Sequence, residues 1–167
     1  MRALIVSLVV ILASSAAFAQ QPVQQAAPPA TSRTMVSASD VVAMIARAKS
    51  DRKDNQALLA QSMIQLAPYN VSLEYRAAVA NAALHETEAE LFYVVDGSAT
   101  LVTGGTLTNE ARTNAANLTG SGIEGGVSRH VAKGDFIMVP EGTPHWFSAI
   151  DGTVVLMSLH LPHTPQR

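Results

Sequence analysis

The stretch Gly134-Asp-Phe-Ile-Met-Val-Pro140-Glu-Gly142-Thr-Pro-His145 limits the possible folds more than any other part of the chain. It reads as a turn glycine, a short apolar run, a proline that ends the run, a second turn and a histidine. His145 then opens another apolar run, Trp146-Phe147. Pro140 presets φ and Gly142 can take a positive φ, so the corner fixes the direction in which the chain leaves it. A side chain just behind such a corner is held rigidly, as a ligand or catalytic group must be.

Glycine, five residues, proline, one residue, glycine, two residues, histidine is also a recognisable spacing. It resembles the second signature of the cupins, with Gly134, Pro140, Gly142 and His145 in place. That signature closes on an asparagine, where this chain has Ala149. Upstream, Glu90, six residues and Gly97 resemble the end of the first cupin signature. Its His-x-His pair falls on Ala83 and His85, and its opening glycine on Ala77. The resemblance spans roughly residues 57–162. It implies an all-β fold, a single double-stranded β-helix (a jelly-roll barrel), with a metal site inside it.

Three residues carry the expected chemistry: His85, Glu90 and His145. Two imidazoles and a carboxylate form a donor set for divalent iron, manganese, zinc or nickel. The resemblance assigns all three to the barrel interior, with Glu90 or a metal-bound water moving protons. Ala83 has no donor to offer. His85 and Glu90 are five residues apart, an odd number. On one unbroken strand they would face opposite sides. They converge only if Glu86-Thr-Glu-Ala89 turns or bulges. An alternative register makes Thr87 a poor substitute ligand. His160 shares parity with Val154, Leu156 and Ser158 and could supply the missing donor. His130 is expected to be exposed, and His163, between prolines, to be a solvated tail. Each of the three also has a plain structural reading: His85 as a surface histidine beside Glu86 and Glu88, Glu90 as a half-buried carboxylate bonded to a neighbouring strand, and His145 as a residue without a ligand role. Phe92 and Val94 share the parity of Glu90, and Phe147 that of His145. They would wall a pocket for a small, partly apolar organic molecule, and equally serve as ordinary core.

The chain has 167 residues, enough for one domain with a substantial core. Residues 1–19 resemble a secretory signal peptide: Arg2, an apolar run and Ala17-Phe18-Ala19 as a cleavage pattern. Residues 20–36 are rich in Gln, Pro and Ala and read as a flexible linker. The barrel domain is then 37–167, periplasmic or secreted, with no membrane anchor after cleavage. Losing Arg2 takes the formal charge from −2 to −3. With no basic patch, nucleic acid is not an expected partner. There are no cysteines, so thiolate ligands, cysteine nucleophiles and disulfides are excluded.

Ser37-Ala-Ser39-Asp40 offers N-caps, and Val41, Val42, Met44, Ile45 and Ala48 predict a helix over 39–50, covering an edge or end of the barrel. Strands are expected at 58–66, 71–79, 91–95, 98–102, 135–139, 145–149 and 153–161. Asp96-Gly97 and Asp151-Gly152 read as tight hairpins. Residues 106–122 read as a long polar loop, either rimming the barrel mouth or idle at the surface.

Two functional classes follow. One is an exported metalloenzyme acting on a small organic molecule, as dioxygenase, isomerase or decarboxylase. The other is a non-catalytic module that binds a small ligand. Cupin resemblance adds the expectation of a homodimer.

Overall fold

A computed structural model describes residues 33–163. The signal peptide expected at 1–19 and residues 20–32 of the linker expected at 20–36 lie outside the described residues. Residues 33–36 do not behave as a free linker. The Gln65 N–H donates to the Arg33 carbonyl at 3.0 Å, and Val36 packs against a core cluster. The free edge of a strand and a nearby apolar surface capture them.

The helix α1 spans Ala38–Asp51. Ser37 caps it with a reciprocal box: the Asp40 N–H donates to Ser37 Oγ and the Ser37 N–H to Asp40 Oδ2, both at 3.1 Å. Met44 and Ala48 are buried, whereas Val42 is 68% exposed and so not part of the apolar face. The helix covers a sheet face rather than an edge or end.

Eleven strands follow: β1 (Leu58–Leu66), β2 (Tyr69–Arg76), β3 (Ala82–His85), β4 (Glu88–Thr103), β5 (Thr106–Thr108), β6 (Ala111–Arg112), β7 (Asn117–Gly120), β8 (Gly122–Glu124), β9 (Val127–Ala132), β10 (Phe136–Val139) and β11 (His145–Pro162). All pairings are antiparallel. β11 pairs with β2, β3 and β4, and β4 also pairs with β9 and β10. Two long strands thus make most of the pairings in the nine-stranded sheet of an all-β jelly roll, with β5 and β8 forming a separate two-stranded one. Among the described residues no helix is long and apolar enough to cross a membrane.

The expected hairpins at Asp96-Gly97 and Asp151-Gly152 are not hairpins. Both dipeptides lie inside β4 and β11. The register slips between Ile150 and Val154, opposite Ala99 and Gly97. Gly97 has φ 78°, and a Cβ there would lie 2.0 Å from the Thr153 carbonyl oxygen. Close backbone contact at a bulge, not chain reversal, requires this glycine. The inward parity accordingly changes along β4, from Phe92 and Val94 to Ala99 and Leu101.

One apolar cluster fills the space between the sheets, built around Phe92, Val94, Leu101, Phe147, Val154 and Leu156. A second lies beneath α1, where Met44 and Ala48 meet Met63, Leu73, Tyr75 and Val155. So the alternation of β2 buries Leu73 and Tyr75 under the helix, and turns Glu74 and Arg76 the other way. β2 also begins two residues earlier and ends three earlier than the strand expected at 71–79. Residues 106–122 are not a loop. They form β5, β6 and β7 and enter β8, and β7 pairs with β3 from Ala82↔Gly120 to His85↔Asn117.

Candidate metal centre

Each site residue reaches its place by a separate strand. His85 ends β3 and Glu90 lies near the start of β4. Glu86 and Thr87 turn the chain between them, shorter than the turn expected at 86–89. That turn cancels the odd spacing. Thr87 is exposed in it and is not the substitute ligand. His145 opens β11, behind the corner formed by Pro140 and Gly142, where Gly142 has φ 66°. The Gly142 N–H donates to the His85 carbonyl at 2.7 Å, tying the corner to the other histidine-bearing strand.

The three side chains meet. His145 Nε2 lies 3.0 Å from Glu90 Oε2, and His85 Nε2 lies 3.3 Å from the same oxygen. His85, Glu90 and His145 each offer a ligand atom, all within 4.8 Å of one another. Glu90 and His145 are buried, at 4% and 5% exposure.

Both imidazoles are oriented from behind. His85 Nδ1 is 2.8 Å from Asn117 Oδ1, and His145 Nδ1 is 3.2 Å from the Thr143 carbonyl oxygen. These oxygens only accept, so each Nδ1 carries the hydrogen and each Nε2 presents a lone pair or an added proton to Glu90. Ser158 Oγ donates to the other oxygen, Oε1. Burial works against ionisation of Glu90, but hydrogen bonds from His145, His85 and Ser158 outweigh it and hold the carboxyl well below the usual carboxylate range. Burial likewise pulls the His85 imidazole down, yet hydrogen bonds with Glu90 and Asn117 outweigh it and raise its pKa.

Neutral imidazoles would therefore point two lone pairs at an ionised oxygen. A divalent cation satisfies all three donors at once, and outer hydrogen bonds of this kind are how metal-binding histidines are fixed. The donor set fits such an ion.

The other histidines separate clearly. His160 points inward, with Nε2 3.4 Å from Glu90 Oε1 and Nδ1 3.0 Å from Glu88 Oε2. His130 is exposed, 4.0 Å from Asp151, and His163 is exposed, 3.2 Å from Glu141. Ala83 stands directly across from His145 and contributes no donor. Phe92 supports the site, its ring 5.8 Å from that of His145, and Phe147 lies edge-on to Phe92 at 5.4 Å.

Sequence reasoning missed three features. Asn117 sits 32 residues from His85, in a segment read as loop, and no local signal links them. Glu88 is legible only as part of the expected turn at 86–89. Arg76 was also missed as a cation near the core: it lies 2.7 Å from Glu74 and 4.6 Å from the Phe147 ring centroid. A separate groove of about 410 Å3 runs along β9 and β10 and is lined by Arg129, Phe136, Met138 and Pro140, among others. None of His85, Glu90, His145 or His160 lines it.

Residues 50–166 match the family model described as Cupin. No curated protein matches the chain. Similar solved structures include KdgF from Halomonas sp., at 15% identity and TM-score 0.48, covering 68% of this chain and 86% of that one. A cupin superfamily protein from Desulfitobacterium hafniense DCB-2 aligns at 17% identity and TM-score 0.46, covering 67% and 83%. The cupin domain of Schizosaccharomyces pombe Cnp3 aligns at 13% identity and TM-score 0.46, covering 69% and 72%. With the family model spanning most of its length and both histidine-bearing strands, the chain belongs to the cupin family.

Proposed function

We propose that the protein is an exported cupin that holds one divalent transition metal through His85, Glu90 and His145 and acts on a small organic molecule. One observation carries this reading. Two imidazoles, each with Nδ1 tied to an oxygen acceptor, direct Nε2 at the same buried carboxylate oxygen. Iron, manganese, zinc and nickel all suit such donors.

A bound ion of this kind would supply Lewis acidity or a place for dioxygen. The chain's own groups do the rest. Glu90 stays ionised, so it serves as a ligand; a carboxyl held so far below its usual range is a weak base, which leaves proton transfer to a metal-bound water. Asn117 and Thr143 hold the two rings in line. Phe92 and Phe147 close the inner side of the site as packed core, Phe92 against the His145 ring. Oxygenase, isomerase and decarboxylase chemistry all remain within this class. The signal-like residues 1–19 support export to the periplasm or beyond.

Ala83 favours a second reading, a module that binds metal or ligand without turnover, because it leaves the family's usual donor set one short. The two part on experiment. Elemental analysis of the purified mature protein is expected to find near-stoichiometric transition metal, lost in His85→Ala and in His145→Ala. Metal-free wild-type protein would end the metalloenzyme reading. With metal present, dioxygen uptake across small phenols, diketones and thiols separates turnover from binding.

A further inference from the structure

Ala83 has no donor to offer, but the last strand brings another imidazole to Glu90. We infer that His160, on the last strand, is a fourth metal ligand, and that Glu88 is the residue that positions it. The inference rests on the metal reading above and specifies its coordination.

The register brings His160 opposite Glu90 in the β4–β11 pairing. Its Nε2 lies 3.4 Å from Glu90 Oε1. His85 and His145 approach the other oxygen, so the three imidazoles surround one carboxylate. His160 also meets His85 edge-on, with ring centroids 4.7 Å apart. His85, Glu88 and His160 form a second set of donors within 4.8 Å of one another, sharing His85 with the first.

The orientation of His160 matches that of the other two. Its Nδ1 is 3.0 Å from Glu88 Oε2. A carboxylate accepts, so Nδ1 carries the hydrogen and Nε2 presents a lone pair or an added proton toward the cluster. Thus each imidazole has Nδ1 tied to an oxygen, of Asn117, Thr143 or Glu88, and Nε2 turned inward. A histidine kept only for strand stability would not need this arrangement. A carboxylate behind an imidazole also makes it a stronger ligand. Glu88 and His160 are partly exposed, at 32% and 27%, so this arm lies on the solvent side of the site.

The alternative within the same cluster makes Glu88 itself the ligand. Glu88→Gln separates the two, because its amide oxygen can still accept from His160 Nδ1 while its charge is gone.

Cobalt(II) is the probe, added to the full-length metal-free protein and followed by its visible absorption and by chelator competition. Removing an outer partner of a ligand typically weakens metal binding about 10–100-fold. Glu88→Ala is expected to fall in that range and Glu88→Gln to lose less. His160→Ala is expected to exceed about 100-fold, past the outer-partner range, and to change the cobalt spectrum. Glu88→Ala added to His160→Ala should weaken binding no further, since the two act through one nitrogen. In the wild-type protein, histidine nitrogen NMR should show the His160 Nε2 signal shifting on zinc binding. That measurement decides the matter even if His160→Ala does not fold. Wild-type affinity and spectrum in His160→Ala, with cobalt lost in His145→Ala, would overturn the fourth ligand and leave the metal reading standing. A wild-type protein that takes up no cobalt or zinc would overturn both.

Discussion

The two ends of the barrel interior are built from the same strands and could hardly differ more. On β4, Phe92 and Val94 belong to the apolar end, and Glu90 to the polar one. On β11, His145 and Ser158 flank a run that includes Phe147, Val154 and Leu156. The apolar end packs Phe92 edge-on to Phe147 and contains no titratable group from these strands. The polar end gathers three imidazoles on one carboxylate. Among the described residues, no buried side-chain nitrogen or oxygen lacks a hydrogen-bond partner. Burying polar atoms is tolerable only on that condition. The difference lies along single strands: the apolar end buries hydrocarbon, and the polar end holds its nitrogen and oxygen atoms in hydrogen bonds and ion pairs.

The first way to break this separation is Phe147→Ala. Phe147 is 2% exposed, touches Phe92 and lies beneath the Arg76 guanidinium. Removing a buried phenylalanine typically costs about 3–5 kcal/mol. Chemical denaturation should record a loss of that size. Metal content per folded molecule should not change, although His145 is only two residues away. A parallel loss of metal would mean that the two ends are not separate.

Gly97→Ala sharpens the same comparison from a distance. A left-handed conformation costs a residue with a Cβ about 1–2 kcal/mol, and here the Cβ also meets the Thr153 oxygen, so at least about 2 kcal/mol of stability should be lost. Both β4 and β11 would have to shift at the bulge where they pair. Metal affinity should hold in the folded fraction, as measured by cobalt titration. This glycine also marks a limit of sequence reading. Asp-Gly signals a positive φ, and hairpins and bulges both use one. Only the partner strand distinguishes them, and Thr153 is remote in sequence.

Where chemistry and local geometry coincide, the sequence was legible. The Pro140–Gly142 corner, the apolar runs on each side and the position of His145 are local features, and the structure has them. The meeting of His85 and Glu90 was legible as a condition, a turn between them, and Glu86-Thr87 meets it. Capping by Ser37 and Asp40 was readable for the same reason. The segment 106–122 was not. Its Thr, Asn and Gly content lacks the apolar alternation of a half-buried strand, because its short strands pair at the sheet margin. Its contribution to the site, the Asn117 oxygen, depends on pairing with β3 across a long separation. The inward pair Glu74 and Arg76 was hidden similarly: the alternation of β2 was clear, but which face the helix would cover was not.

Asn117→Ala isolates the polar end with the smallest change. The side chain is remote from the apolar cluster and does one thing for the site: it accepts from His85 Nδ1 at 2.8 Å. Without it the ring can rotate or exchange tautomers, and Nε2 is no longer fixed toward Glu90. Losing such a partner should weaken metal binding about 10–100-fold, or about 1.4–2.7 kcal/mol. The metal-free protein should lose only about 1 kcal/mol, the net worth of one hydrogen bond. Asn117→Asp keeps the acceptor and should retain most of the affinity. If Asn117→Ala instead lowered stability by as much as it lowered affinity, the pairing of β3 with β7 would be the main role of that residue. The barrel's polar end would then depend on sheet packing more than on hydrogen bonds behind its ligands.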